Sequence, residues 1–215
     1  MDKTPVELRD DLILAMLPHV PFDGWSEAAL NRAAEDMGVD PDVAFISFPN
    51  GTADIIKGYL DLELRQFQDT LADQNFNDMK IRDRIVTCVR LRLEMAKDHK
   101  EASLRAARYL SNPKNSSIGA RHLWRSVDLM WRATGDSSTD FNYYSKRTIL
   151  SAVYSSTYLF WLSDHSEDHV DTWAFLDRRI TDVMRIEKVK ARWRKFDANR
   201  PKLTRFLGRL RYPSI

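Results

Sequence analysis

From Pro5 to Leu17 apolar residues recur at helical spacing through Leu8, Leu12, Ala15 and Met16, which predicts a first helix. The run Pro18-His19-Val20-Pro21-Phe22-Asp23-Gly24 breaks it. Ser26 is placed to cap a second helix reaching about Met37, and Gly38 suits a left-handed cap at its end. Asp40-Pro41 opens a third, short helix with proline in its first turn. After the turn Phe48-Pro49-Asn50-Gly51, Thr52 begins a longer helix through Ile55, Ile56, Tyr59, Leu60 and Leu64. Helix, glycine turn and short helix together make a helix-turn-helix outline. Asn77 to Met95 carries the stripe Ile81, Ile85, Cys88, Val89 and Leu93, and Lys80, Arg82, Arg84, Arg90 and Arg92 are expected on a solvated, salt-bridged face. His99 to Leu110 is a further helix with Glu101 and Arg105 at i,i+4. The 112–117 segment is a linker, and Ile118 to Thr134 is amphipathic through Leu123, Val127, Met130 and Trp131. Glu167 to Arg192 keeps Trp173, Leu176, Ile180, Val183 and Met184 in register. With no strand pattern and no internal repeat, the fold class is all-α.

The chain is organised around its most aromatic stretch, Gly135 to Ile180. Gly135-Asp136-Ser137-Ser138 is turn chemistry, and Thr139 or Asp140 can cap the helix that follows. Ile149 to Leu162 is apolar nearly all round, as in a helix at the middle of a bundle. It is shorter than the roughly 20 residues that cross a bilayer. Tyr154, Phe160 and Trp161 read as packed core. Tyr143 and Tyr144 differ, because adjacent helical residues point about 100° apart and cannot both face one core. Set among Asp140, Lys146 and Arg147, they suit a partner-binding surface. The 118–131 and 149–161 helices carry more apolar surface than a narrow stripe needs. Leu123, Val127, Val153, Tyr154, Thr157 and Trp161 are therefore expected to line an elongated cavity.

Charge changes the picture at both ends. From Arg192 onward there are eight basic residues and one acid, a net +7, while the whole chain carries +2, so residues 1–191 carry −5. The basic end points at an anionic surface. Between Val20 and Ile56, seven acids stand against Arg32 alone, and Pro41 to Phe48 contains no Lys or Arg. Since phosphate contacts carry most nonspecific DNA affinity, a segment this acidic is repelled by a duplex, and no nucleic-acid partner is expected. The single Cys88 excludes an intrachain disulfide and fits a reducing compartment as an inert buried thiol. No signal peptide, transit peptide or membrane span is read, so the expected location is cytoplasmic. His165 and His169 lie four apart, but no HExxH or ExxH set accompanies them, so no metal is expected. The seven glycines are scattered and form no phosphate loop. With no catalytic constellation, the chain reads as a non-enzyme without a cofactor.

In Pro201–Tyr212, Leu203, Phe206, Leu207 and Leu210 fall at i, i+3, i+4 and i+7 on one helix face. Lys202, Arg205, Arg209 and Arg211 lie mainly on the rest, and Asp197-Ala198-Asn199 reads as a hinge. This is the pattern of a helix lying in a membrane interface, and docking on the acidic body of the chain is the alternative.

The phrases LPHVPFDGWSEAALNRAAEDMGVD, KIRDRI, GDSSTDFNYYSKRTIL and DTWAFLDRRI resemble the lipid-binding accessory protein of ubiquinone biosynthesis, the ninth Coq family. The similarity covers about Asp10 to Glu187. It implies a TetR-like helical bundle that dimerises, has lost DNA binding and holds an isoprenoid or other lipid. It also implies a role beside the di-iron demethoxy-ubiquinone hydroxylase, to which such a protein presents a prenylated quinone intermediate. The family's hydroxylase contact corresponds to Met130, Asp140, Tyr143, Tyr144 and Arg147, expected as an exposed patch, with Tyr143 where the family often has Trp. The implied organisation is a degenerate helix-turn-helix region over 1–60, a lipid-binding bundle over 61–192 and a basic amphipathic tail over 193–215. The implied location is peripheral, on the cytoplasmic face of the inner membrane or the matrix side of a mitochondrion. The competing expectation is a TetR-type transcriptional regulator with a lipid ligand.

Overall fold

The computed structural model describes residues 3–139 and 141–198, with side chains described as far as Arg185. No strand occurs among the described residues. The helices are α1 (Pro5–Met16), α2 (Val20–Asp23), α3 (Glu27–Met37), α4 (Pro41–Ile46) and α5 (Thr52–Ala72). They continue as α6 (Ile81–Glu94), α7 (Lys100–Leu110), α8 (Ser116–Ala133), α9 (Phe141–Ser163) and α10 (Val170–Ala198). Single 3-10 turns at Lys97–His99 and Glu167–His169 lead into α7 and α10.

Local signals account for many of the boundaries. Thr4 and Glu7 close a capping box at the start of α1. The Ser26 hydroxyl accepts from Ala29 N at the start of α3, and Gly38 ends that helix at φ 64°. Asp40 caps α4 by accepting from Asp42 N. Three expectations shift. The break at 18–24 contains the short helix α2, because Pro21 is tolerated in a first turn, where no N–H is needed. α6 starts at Ile81 rather than Asn77, and Arg84 donates to the carbonyls of Met79 and Asn77 that precede it. α8 starts at Ser116, inside the expected linker.

The N-terminal helices pack around Leu12, Ile13, Met16, Ala29, Leu30 and Ala33. α1 lies against α3 and α5, and α5 runs on to meet α8. A Cβ on Gly58 would stand 2.7 Å from Ile13 Cδ1, so glycine permits the close α1–α5 approach. The Trp25 indole donates to Ala102 O at 3.0 Å and lies 4.6 Å from the Tyr59 ring, tying the helix-turn-helix region to α5 and α7. α5 is continuous through residue 60 and α10 through residue 192, so neither expected segment boundary falls at a helix end. The chain divides into compact units at Met1–Leu176 and Asp177–Ile215. Within the second unit, Arg179 pairs with Asp182 at 2.9 Å.

α4 contains no Lys or Arg and exposes Val43, Phe45 and Ile46. Cys88 is fully buried, and burial pushes its thiol up to about 12. Among the described residues, no helix is long and apolar enough to cross a membrane. The tail residues Leu203, Arg205, Phe206, Leu207, Arg209 and Leu210 lie outside the described residues, as does Asn199 of the expected hinge.

Candidate functional site

α5, α6, α7, α8 and α9 line an open cavity of about 310 Å³, at the lower end of the range of ligand sites. Its walls are chiefly apolar: Leu60, Ala106, Leu110, Leu123, Tyr154 and Leu159 contribute. Gly119 of α8 faces Leu110 of α7, and a Cβ there would lie in ordinary contact, 3.4 Å from Leu110 Cβ.

The cavity contains two of the six expected lipid residues, Leu123 and Tyr154. Val127, Val153, Thr157 and Trp161 do not line it; they are buried in the packed interior. The correction has a simple cause. Val153, Thr157 and Trp161 repeat at i, i+4 and i+8 on the inner side of α9, where Thr157 returns its hydroxyl to Val153 O at 2.8 Å. The cavity opens along the neighbouring stripe Tyr154, Ser155, Tyr158 and Leu159.

Its other end is polar and was not expected. Glu63, Arg92 and His122 come together there from three helices. Arg92 Nη2 donates to Glu63 Oε2 at 2.7 Å, and the Tyr59 hydroxyl donates to Glu63 Oε1 at 2.8 Å. Arg92 Nη2 also faces His122 Nε2 at 3.5 Å, with the Ser126 hydroxyl at 3.4 Å. Arg92 is 4% exposed, which corrects its expected place on a solvated basic face. The signal was present in the spacing, since Arg92 follows Cys88 by four and Val89 by three on the buried stripe. Glu63 likewise follows Tyr59 by four and precedes Phe67 by four. Burial by itself would raise the Glu63 carboxyl, but the Arg92 guanidinium outweighs it and holds the group ionised. Burial, then the charge of Arg92, pushes the His122 imidazole down to about 4.

The second candidate feature is the aromatic patch at the start of α9. Tyr144 is 60% exposed and Phe141 stands beside it in the open. The Tyr143 and Tyr144 rings meet edge-on at 5.1 Å, and both lie 6.4 Å from Trp124 of α8. Trp124 had no distinguishing sequence signal. Two of the expected patch members are not on the surface: Met130 is 0% and Arg147 1% exposed. Met130 sits on the opposite side of α8 from Trp124 and Asp128, facing the interior with Val127. Arg147 supports the patch from beneath. Its Nε donates to Asp128 at 2.7 Å, its Nη1 to Asp136 at 3.1 Å, and its guanidinium lies 3.5 Å from the Tyr143 ring centroid. The Tyr143 hydroxyl donates to the same Asp128 oxygen at 3.1 Å. Asp136 also accepts from Lys146 at 2.7 Å and Ser138 at 2.7 Å. Burial would raise the Asp136 carboxyl, and these donors overcome it, holding it well below the usual carboxylate range. Asp140 lies outside the described residues.

His165 and His169 do not form a metal site with Asp164. The Asp164 carboxylate accepts from the backbone and hydroxyl groups of Ser166 and Thr172, capping α10, and His169 meets Trp161 edge-on with ring centroids 5.9 Å apart. Among the described residues, no group of three or more His, Cys, Asp and Glu side chains could hold a metal ion.

Residues 116–187, which contain α8, α9 and the start of α10, match the COQ9 family model. The chain is 32% identical to the mitochondrial ubiquinone biosynthesis protein COQ9 of Rattus norvegicus, over 83% of its own length and 59% of the relative. The Homo sapiens protein of that name is also 32% identical, over 83% and 58%. The probable mitochondrial coq9 protein of Dictyostelium discoideum is 30% identical, over 86% and 62%. The chain thus spans about three fifths of the length of these relatives. In structure it is similar to a TetR transcriptional regulator from Nitrosomonas europaea, with TM-score 0.66, 19% identity and coverage of 81% of this chain and 97% of that one. At that identity the likeness is one of fold, and the helix order above is that of a TetR-like bundle. By the match over 116–187 and the identity along most of its length, the chain is similar to the ubiquinone biosynthesis COQ9 proteins, and its all-α fold is TetR-like.

Proposed function

We propose that this chain is a non-enzymatic lipid-binding accessory protein of ubiquinone biosynthesis. In this reading it holds a prenylated quinone intermediate and presents it to the demethoxy-ubiquinone hydroxylase at a membrane surface. The cavity between α5 and α9 is the observation that carries the reading, because its walls are apolar over most of their area. Each methylene of a prenyl tail buried there contributes about 0.8 kcal/mol, so a tail binds without a charged anchor. The Tyr143–Tyr144–Trp124 cluster supplies the partner surface: an exposed Tyr144 ring braced by two half-buried rings over an ionic base is what a binding hot spot needs. The basic 201–212 segment supplies reversible membrane contact, each cation near an anionic leaflet contributing roughly 1 kcal/mol. A homodimer on the anionic inner face of a membrane completes the proposal.

The test is a binding titration between the full chain and the hydroxylase. Tyr144→Ala is expected to weaken it by about 1–3 kcal/mol while thermal stability and lipid content stay unchanged. Unaltered affinity would remove the patch from the interface. Co-sedimentation with anionic liposomes should fall when the chain is cut after Asp197, and rising salt should weaken the full chain's binding. A TetR-type regulator is the second reading, favoured by the fold. An acidic 20–56 segment with no base on α4 argues against it. A specific mobility shift on DNA would reverse that judgement.

A further inference from the structure

The phrase KIRDRI, residues 80–85, lies outside the cavity walls, yet one of its side chains reaches the base of the aromatic patch. Arg84 directs its guanidinium at three main-chain carbonyls. Nε donates to Met79 O at 2.8 Å and Nη2 to Asn77 O at 3.3 Å, both just before its own helix. Nη1 donates to Thr134 O at 3.0 Å, 50 residues away at the C-terminal cap of α8. The last carbonyls of a helix have no partner within it, and a cation there also meets the negative end of the helix dipole. Thr134 is 1% exposed, so water does not replace Arg84 at that carbonyl.

A Schellman turn follows Thr134. Gly135 takes the left-handed conformation at φ 85°, its N–H donates to Arg132 O at 2.9 Å, and Asp136 N donates to Trp131 O at 3.1 Å. That turn aims the Asp136 carboxylate back at α9, where it accepts from Lys146 and from Arg147 Nη1. Arg147 lies against the Tyr143 ring, which meets Tyr144 edge-on. One unbroken line of contacts therefore runs from Arg84 on α6 to the exposed Tyr144 ring. We propose that Arg84 is a positioning residue for the partner surface: it fixes the end of α8 so that Asp136 and Arg147 hold the Tyr143–Tyr144 pair in its docking geometry. This rests on the partner-surface reading and adds to it a residue of another helix that touches no partner itself.

A double-mutant cycle separates this role from plain stability, because coupling through a chain of contacts shows as non-additive losses. Hydroxylase affinity is measured by titration for wild type, Arg84→Met, Tyr144→Ala and the double variant, each as the full chain and each checked for native helical content. Arg84→Met should weaken binding about fivefold, and by less than about twofold once Tyr144 is already alanine. A residue that only stabilises the fold leaves the affinity of the folded protein unchanged. Full affinity in Arg84→Met, or an equal loss in both backgrounds, overturns the inference and leaves the patch standing. If Tyr144→Ala binds as wild type does, the patch reading itself falls, and the inference with it. Should Arg84→Met fail to fold, Gly135→Ala takes its place and is judged by the same two criteria. It strains the turn at its positive φ, while the added Cβ meets no atom within 4 Å.

Discussion

Arg147 links the two carboxylates Asp128 and Asp136 beneath the Tyr143 ring, and at 1% exposure it has no access to water as a substitute partner. Arg147→Met should therefore cost about 3 kcal/mol of unfolding free energy, the lower end for a broken buried pair, because Lys146 still serves Asp136. Urea denaturation measures it; a loss under about 1 kcal/mol would mean that the network is not structurally needed. A second expectation concerns His122. Its folded value of about 4 lies below the ordinary value of about 6.5, so the unfolded chain takes a proton that the folded chain refuses. The stability it contributes is whole above about pH 6.5 and is lost as pH falls from there to about 4. His122→Gln should flatten that part of the stability profile relative to wild type, and parallel profiles would contradict the assignment. These two sites differ in how legible they were. Arg147 was singled out by the family motif but assigned to the surface, since a motif gives a residue's importance and not its depth. Arg92 and Glu63 were hidden because charged residues are normally placed on the wet face, although their spacing put them on the buried stripe.

The helices themselves were largely readable, since caps and glycine stops are local chemistry. Ser26, Gly38 and Asp40 each act where their type predicts. The α8–α9 pair was readable as apolar but not as a pocket, because which of two adjacent stripes faces a void depends on the partner helix. On α9 the void follows Tyr154, Tyr158 and Leu159, one position along from the core stripe. The α1–α5 crossing depends on Gly58 in the same non-local way. Gly58→Leu should destabilise the chain by about 1–3 kcal/mol through overpacking against Ile13, a fully buried side chain. Thermal melting tests this, and an unchanged melting temperature would mean that α1 moves aside without cost.

At the scale of the whole molecule, the bundle carries a neutralised polar cluster at one end of an apolar cavity and a separate aromatic patch at the start of α9. The fold is TetR-like, while the acidic 20–56 segment lacks the charge for a duplex. That charge argues against a regulator. The most direct measurement is native mass spectrometry with lipid extraction, on wild type and on Ala107→Trp, which fills the cavity from α7. The account predicts a wild-type protein carrying an extractable isoprenoid or similar lipid, and an Ala107→Trp protein of the same helical content that carries none. A wild-type protein of bare mass, or a variant with the same lipid load, would contradict it.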